Sequence, residues 1–322
     1  MKQAVKLSAL ALASAFLVGC ATIVEYQLAQ RPQNFKLDHE VDLSQFNFDE
    51  REFCLPHLGG CTGYILGHPA TAEDDKYTMK MDIEVDDIDY QTELVLQREE
   101  LPLRKGTVVL LHGYGVDKRA TLMLGLHFRF LGYHTIAPDL TAHGGSRVDT
   151  PSYGVTDALM LSTLIDSLPA REVPKPLHIM GISMGAVAAA HLAKQRDDVT
   201  SVMLLAPMRP LNEASRAMAQ LTMPNLSRLL PAEAFDEGVT AALQKQGLTV
   251  ADTDLRELIP ELGAPVFIAA SDKDAIAPYE FFLPLESEQV ELVMRPGYHH
   301  LTAAIPDAEL HAEILEWLQQ VE

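Results

Sequence analysis

From Thr107 to the end of the chain, short apolar runs alternate with longer segments of helical period. The runs are Thr107–Leu111, His134–Pro138, Leu177–Met180, Val202–Ala206, Val266–Ala270 and Val290–Met294. Each has the length of one strand and almost no charge, the pattern of strands buried on both faces of a parallel sheet. Between them, Lys118–Phe130, Thr156–Leu168, Ala186–Gln195 and Ala308–Gln320 read as helices. This alternation predicts an α/β fold, a mostly parallel twisted sheet with helices on both faces. Upstream, Tyr77–Val85 and Thr92–Gln97 alternate apolar and polar residues, which predicts an antiparallel hairpin. The alternation of strand and helix fails from Met208 to Pro260, a stretch rich in Leu, Met and Ala. We read residues 208–260 as a small helical cap inserted over the strand ends.

The amino-terminal third follows a different pattern. Lys2 and Lys6 precede an apolar stretch, Leu7–Val18, too short to span a bilayer, which takes about 20 apolar residues. It ends in Leu17-Val18-Gly19-Cys20, which resembles the bacterial lipobox. The resemblance implies a lipoprotein signal peptide over residues 1–19 and lipidation of Cys20 as the first residue of the mature chain. Ala21 stands where an Asp would imply retention in the inner membrane, so the implied location is the outer membrane, facing the periplasm. Residues 20–75 have weak periodicity and read as a lipid tether and an irregular extension. Cys54 and Cys61 flank a turn-rich segment. In an oxidising compartment they are expected to form a disulfide. A metal site built from the two with His57 is the rival reading.

Composition adds little beyond exclusions. The chain has 322 residues, 48% of them hydrophobic, and a formal net charge of −20. Such a balance suits a folded domain and repels phosphate backbones, so nucleic acid is not an expected partner.

The candidate chemistry lies at strand ends. Gly181-Ile182-Ser183-Met184-Gly185 falls between an apolar strand and an Ala-rich helix, the context in which a serine sits on a sharp turn with its hydroxyl exposed. A serine hydroxyl needs a base to take its proton. Two later strand ends supply candidates: Asp272 or Asp274 in one loop, and His299 or His300 in the other. The residues alone leave both choices open.

With these landmarks the chain is similar to the α/β-hydrolase superfamily, of the capped esterase, lipase and peptidase type, over residues 76–322. His112-Gly-Tyr-Gly115 resembles its oxyanion loop. Pro138-Asp-Leu-Thr-Ala-His-Gly-Gly-Ser146 resembles a second family motif, departing from it at Ala142, where Gly is usual. The resemblance implies Ser183 as nucleophile, Asp274 as acid because it stands a few residues before Ala277-Pro278, and His300 as base by its spacing from Pro296. It also implies the backbone N–H groups of Tyr114 and Met184 as oxyanion donors. His112, His143 and His178 read as structural, and Arg209 as part of a surface or cap salt bridge, with contact to an anionic substrate as the alternative. Met208, Met218, Leu221 and Met223 of the cap read as helix faces packed on the core or as the lining of an acyl pocket.

The expected activity is hydrolysis of a carboxylic ester or thioester, on a small or lipid-like substrate, by a chain tethered to the membrane. An amidase, peptidase or cofactor-free perhydrolase would use the same residues, and a catalytically idle binding protein would use only the fold. No cofactor and no metal is expected: there is no Walker motif and no Gly-x-Gly-x-x-Gly after the first strand.

Overall fold

The computed structural model describes residues 18–33, 43–55, 60–71, 74–85 and 88–322. The segment read as a signal peptide up to Leu17, and His57, lie outside them. The core is an eight-stranded sheet. Its strands are β1 (Phe48–Leu55), β2 (Gly60–Gly67), β5 (Thr107–Leu111), β6 (His134–Pro138), β7 (Leu177–Ile182), β8 (Ser201–Leu205), β9 (Val266–Ala270) and β10 (Val290–Met294). In space they run β1-β2-β6-β5-β7-β8-β9-β10. The six strands from β6 to β10 are parallel, and β1 and β2 join antiparallel. The predicted hairpin, β3 (Lys76–Val85) with β4 (Ile88–Gln97), is a separate two-stranded sheet.

Apart from the edge strand β10, the apolar runs are buried on both faces, successive side chains pointing to opposite sides. In β5, Val109 and Leu111 join one core while Val108 and Leu110 join the other. In β9, Ile268 and Phe267 divide the same way. One face is covered by α2 (Leu122–Leu131) and α10 (Ala308–Val321). The other is covered by α3 (Asp157–Ser167) and α4 (Met184–Gln195). The cap forms between β8 and β9 from α5 (Leu211–Thr222), α6 (Pro224–Ser227), α7 (Ala232–Gln244) and α8 (Leu255–Leu258). Met208 is buried, whereas Leu221 and Met223 face solvent, so these two do not line a closed acyl pocket.

Two parts of the reading of residues 20–75 need correction. First, the sheet begins at Phe48, so the boundary at 76 is too late. β2 hydrogen-bonds along β6, with Tyr64 opposite Pro138. β1 was hidden because it is an edge strand: Asp49, Glu50, Arg51 and Glu52 give it the charge that discourages pairing with another chain. Second, residues 18–29 are a helix, here α1, packed on the body. A Cβ on Gly238 of α7 would come within 2.6 Å of the Ala21 carbonyl oxygen and 2.7 Å of Val24 Cβ, so only glycine admits the helix this closely. Val24 is buried, and the Tyr153 hydroxyl donates to the Leu28 carbonyl. None of the described helices is long and apolar enough to cross a membrane.

Cys54 and Cys61 oppose each other across β1 and β2 and are joined by a disulfide. Closing a loop with a sequence separation of 7 stabilises by about 2–3 kcal/mol in the chain-entropy account. Cys54→Ser is therefore expected to lower unfolding free energy by roughly that amount under oxidising conditions. Reductant should bring the wild-type chain down to the variant; an equal gap in reductant would refute the link.

On the opposite face His127 of α2 and His311 of α10 meet, Nε2 to Nδ1, at 2.8 Å. Burial pushes His127 down to about 3, and lowers His311 as well. The pair thus stays neutral in the fold at pH values where an unfolded histidine, near 6.5, is charged. Unfolding then takes up protons, so this pair makes stability fall as pH drops from about 6.5 toward 4. Urea titrations at pH 7 and 5 should show a shallower pH dependence in His127→Gln than in the wild type. An identical slope would exclude the pair as its source.

Candidate active site

Ser183 occupies the single residue between β7 and α4, with φ 52° and ψ −115°. A non-glycine residue there is strained and persists only where its surroundings over-determine it. They do so here. The Ser183 N–H donates to Leu205 O, and Ser183 O accepts from Ala186 N–H and Met208 N–H. The flanking glycines are obligatory for space: a Cβ on Gly181 would lie 2.2 Å from Gly185 O, and one on Gly185 would lie 2.2 Å from Leu111 O. The sharp turn lifts the hydroxyl off the end of the sheet.

The structure brings Ser183, His300 and Asp274 together and leaves Asp272 and His299 apart from them. His300 Nε2 lies 2.8 Å from Ser183 Oγ, and its Nδ1 lies 2.7 Å from Asp274 Oδ2. With Nδ1–H donating to the carboxylate, Nε2 is left to accept from the hydroxyl. Asp274 is 2% exposed. Its other oxygen, Oδ1, accepts from the N–H groups of Ile276 and Ala277 at 2.8 and 2.9 Å. Asp272 instead accepts from the Gly297 N–H and so ties the two loops together. The ring of His299 stands edge-on to Tyr90 at the end of the β3–β4 hairpin. The Tyr90 hydroxyl donates to Gly297 O, so the hairpin braces the loop that carries His300.

The other predicted residues fall around this core. A Cβ on Gly113 would be 3.5 Å from Ser183 Cβ, so the loop after β5 lies directly against the serine. Tyr114 follows in that loop, its ring stacked on Tyr153 and edge-on to His143. Met184 is the first residue of α4, where a backbone N–H has no acceptor within the helix. His112 is fully buried. Its Nε2 accepts from the Leu140 N–H, and its Nδ1–H donates to Gly113 O. Only the neutral ring can make both bonds, and burial lowers its pKa accordingly. Burial likewise pushes His143 down to about 4. His178 is buried against Ser201 Oγ. Arg209 pairs with Glu213 and donates to Ala275 O, linking the cap to the Asp274 loop. Ala142, the departure from the family motif, has φ 64°, the backbone that glycine would adopt without strain.

Two supporting ion pairs were missed in the sequence. Lys118 Nζ lies 2.8 Å from Asp139, both buried, and 3.1 Å from Glu50 of β1. Asp139 also accepts from the backbone of Lys118 and Gly145, so it joins the Gly113–Lys118 loop to the next one. Beneath the His300 loop, Arg295 is fully buried, bidentate to Asp307, and lies over the Tyr298 ring. Asp139 belonged to a quoted motif; Arg295 and Asp307 gave no local signal, since their pairing is long-range.

No curated protein matches the sequence. Among solved structures, the chain is similar to a membrane phospholipase A described as a bacterial virulence factor, at 18% identity and TM-score 0.55, over 100% of this chain and 99% of that one. It is also similar to an esterase of Pyrococcus furiosus, at 16% identity and TM-score 0.55, over 91% and 99%. A thermostable carboxyl esterase of Bacillus coagulans, crystallised with glycerol, gives 15% identity and TM-score 0.56, over 85% and 98%. At such identities these likenesses establish the fold. The family's own sequence profile matches residues 108–313, from the second residue of β5 into α10, and the chain therefore belongs to the alpha/beta hydrolase family.

Proposed function

We propose that this protein is a serine hydrolase that cleaves carboxylic esters through an acyl-enzyme, with Ser183 as nucleophile, His300 as base and Asp274 as its orienting acid. The observation that carries the reading is the continuous hydrogen-bonded chain from Asp274 through His300 to Ser183. Ser183 Oγ attacks the substrate carbonyl carbon while its proton passes to His300 Nε2. Asp274, fixed in place by two backbone N–H donors, stabilises the imidazolium that forms. The carbonyl oxygen becomes an oxyanion held by the N–H groups of Met184 and Tyr114. The first of these also offers the positive end of the α4 dipole. Collapse breaks the bond to the alcohol, which takes the proton from His300. Water, deprotonated by the same ring, then releases the acid and restores Ser183.

The lipobox-like Leu17-Val18-Gly19-Cys20 adds the second half of the proposal: the chain is tethered to the envelope through Cys20, most simply in the outer membrane facing the periplasm. A membrane phospholipase A and two esterases among its structural neighbours accord with a lipid-like ester as substrate.

Fluorophosphonate treatment should place a single adduct on Ser183, located by mass spectrometry; a folded chain without that adduct would defeat the proposal. Ser183→Ala is expected to fold normally and to lose about 10⁴-fold or more of ester turnover. His300→Ala and Asp274→Asn should fall by orders of magnitude as well, whereas His299→Ala and Asp272→Asn should retain most activity. Comparable losses in all four would mean that the assignments of base and acid are wrong.

A further inference from the structure

The cap carries the most concentrated exposed apolar surface of the described residues. Leu221, Met223, Leu226 and Leu229 are 47, 50, 46 and 68% exposed, all within nine positions spanning the end of α5 and all of α6. Scattered exposed leucines are ordinary; four together on a protruding turn mark a contact surface. From Ala214 to Ala232 the only charged residues are Arg216 and Arg228, in a chain whose formal net charge is −20. An apolar tip flanked by arginines and free of carboxylates matches the boundary between phospholipid head groups and acyl chains.

The position of α1 brings this tip to the membrane. α1 runs alongside α7 in the same direction. Ala21 and Val24 pack at Gly238, Glu25 pairs with Lys245, and Leu28 meets Tyr153, next to the segment where Gln246 bonds Pro151. Its first turn therefore lies toward the start of α7, the end at which α6 and Leu229 enter. That turn holds Cys20, the proposed point of lipid attachment. The outward side of α1 is itself apolar beyond Cys20, with Ile23 and Tyr26 at 52 and 61% exposure. Because Cys20 is packed against the body, no flexible spacer separates the attachment point from the cap.

We propose that the α5–α6 tip and the outer side of α1 form one docking surface whose occupant is the phospholipid bilayer. The inference rests on the proposed anchor at Cys20. It adds that the cap itself inserts, so that the catalytic cleft opens toward the lipid and draws its ester from the bilayer. Met208 connects the cap to the serine turn through its hydrogen bond to Ser183 O, and Leu301, next to His300, is 72% exposed.

The test places a fluorophore at the tip. The full chain carrying L229W is mixed with phosphatidylcholine–phosphatidylglycerol vesicles whose acyl chains are brominated. The native Trp317 is 4% exposed and serves as the unquenched reference. Emission of L229W is expected to fall at least twofold relative to unbrominated vesicles, with wild-type emission unchanged. Emission of L229W that does not respond, whether the chain stays in solution or sits on the vesicle with its cap in water, overturns the proposal. A concentration-dependent dimer abolished by L226E/L229E, again without quenching, overturns it in favour of a second copy. Repeating the measurement with S183A separates the two readings, since docking must survive loss of the nucleophile, while fluorophosphonate labelling tests the chemistry alone. L226E/L229E should also lower turnover of a long-chain ester in vesicles about tenfold while sparing a short soluble ester; parallel losses on both would count against docking.

Discussion

A single residue held in the left-handed region, Ser183, organises this molecule. Its backbone costs energy by itself, and the fold is arranged so that no relaxed alternative fits. Gly181 and Gly185 let strand, turn and helix cross at distances that no side chain would allow. The neighbouring strand β8 and Met208 just beyond it grip the turn through backbone hydrogen bonds. Close packing therefore lies under the serine, as expected where strain must be maintained by the surroundings.

Around this fixed point the other groups are positioned indirectly. His300 and Asp274 come from loops that share little local structure, so each is secured from outside. The buried pair of Arg295 with Asp307 carries the first loop from below, the hairpin tyrosine Tyr90 braces it from the side, and Asp272 stitches it to the second. The loop before the serine depends likewise on neutral His112 and on Lys118 with Asp139. His112, Lys118, Asp139, Arg295 and Asp307 are buried polar groups held by partners, the condition under which such networks confer rigidity.

Much of this was legible in the residue pattern because the signals are local. Five strands buried on both faces need uninterrupted apolar runs, and a serine on a strained turn needs its glycines; both leave marks within a few positions. The cap was visible as a break in alternation. The first two strands were not, because an edge strand of mixed charge such as Asp49–Glu52 lacks the apolar run, and the Tyr64–Gly67 segment is short and bounded by glycine. The docking of α1 was equally hidden, since it depends on an absent side chain at Gly238, more than two hundred positions away. The choice between His299 and His300 could be made only by counting along a family pattern, because adjacent residues differ in direction and not in composition.

The chain order of the site has a consequence for the life of the molecule. Ser183 and His300 are 117 positions apart, and the hydrogen bond between them crosses the whole cap insertion. The elbow can form once β5, β7 and β8 have paired, yet the ring that lies against its hydroxyl arrives with the loop after β10, much later along the chain. A partly made chain thus holds its serine without that ring beside it. The long separation acts as a built-in safety catch, leaving the serine without its imidazole partner until β10 closes the sheet.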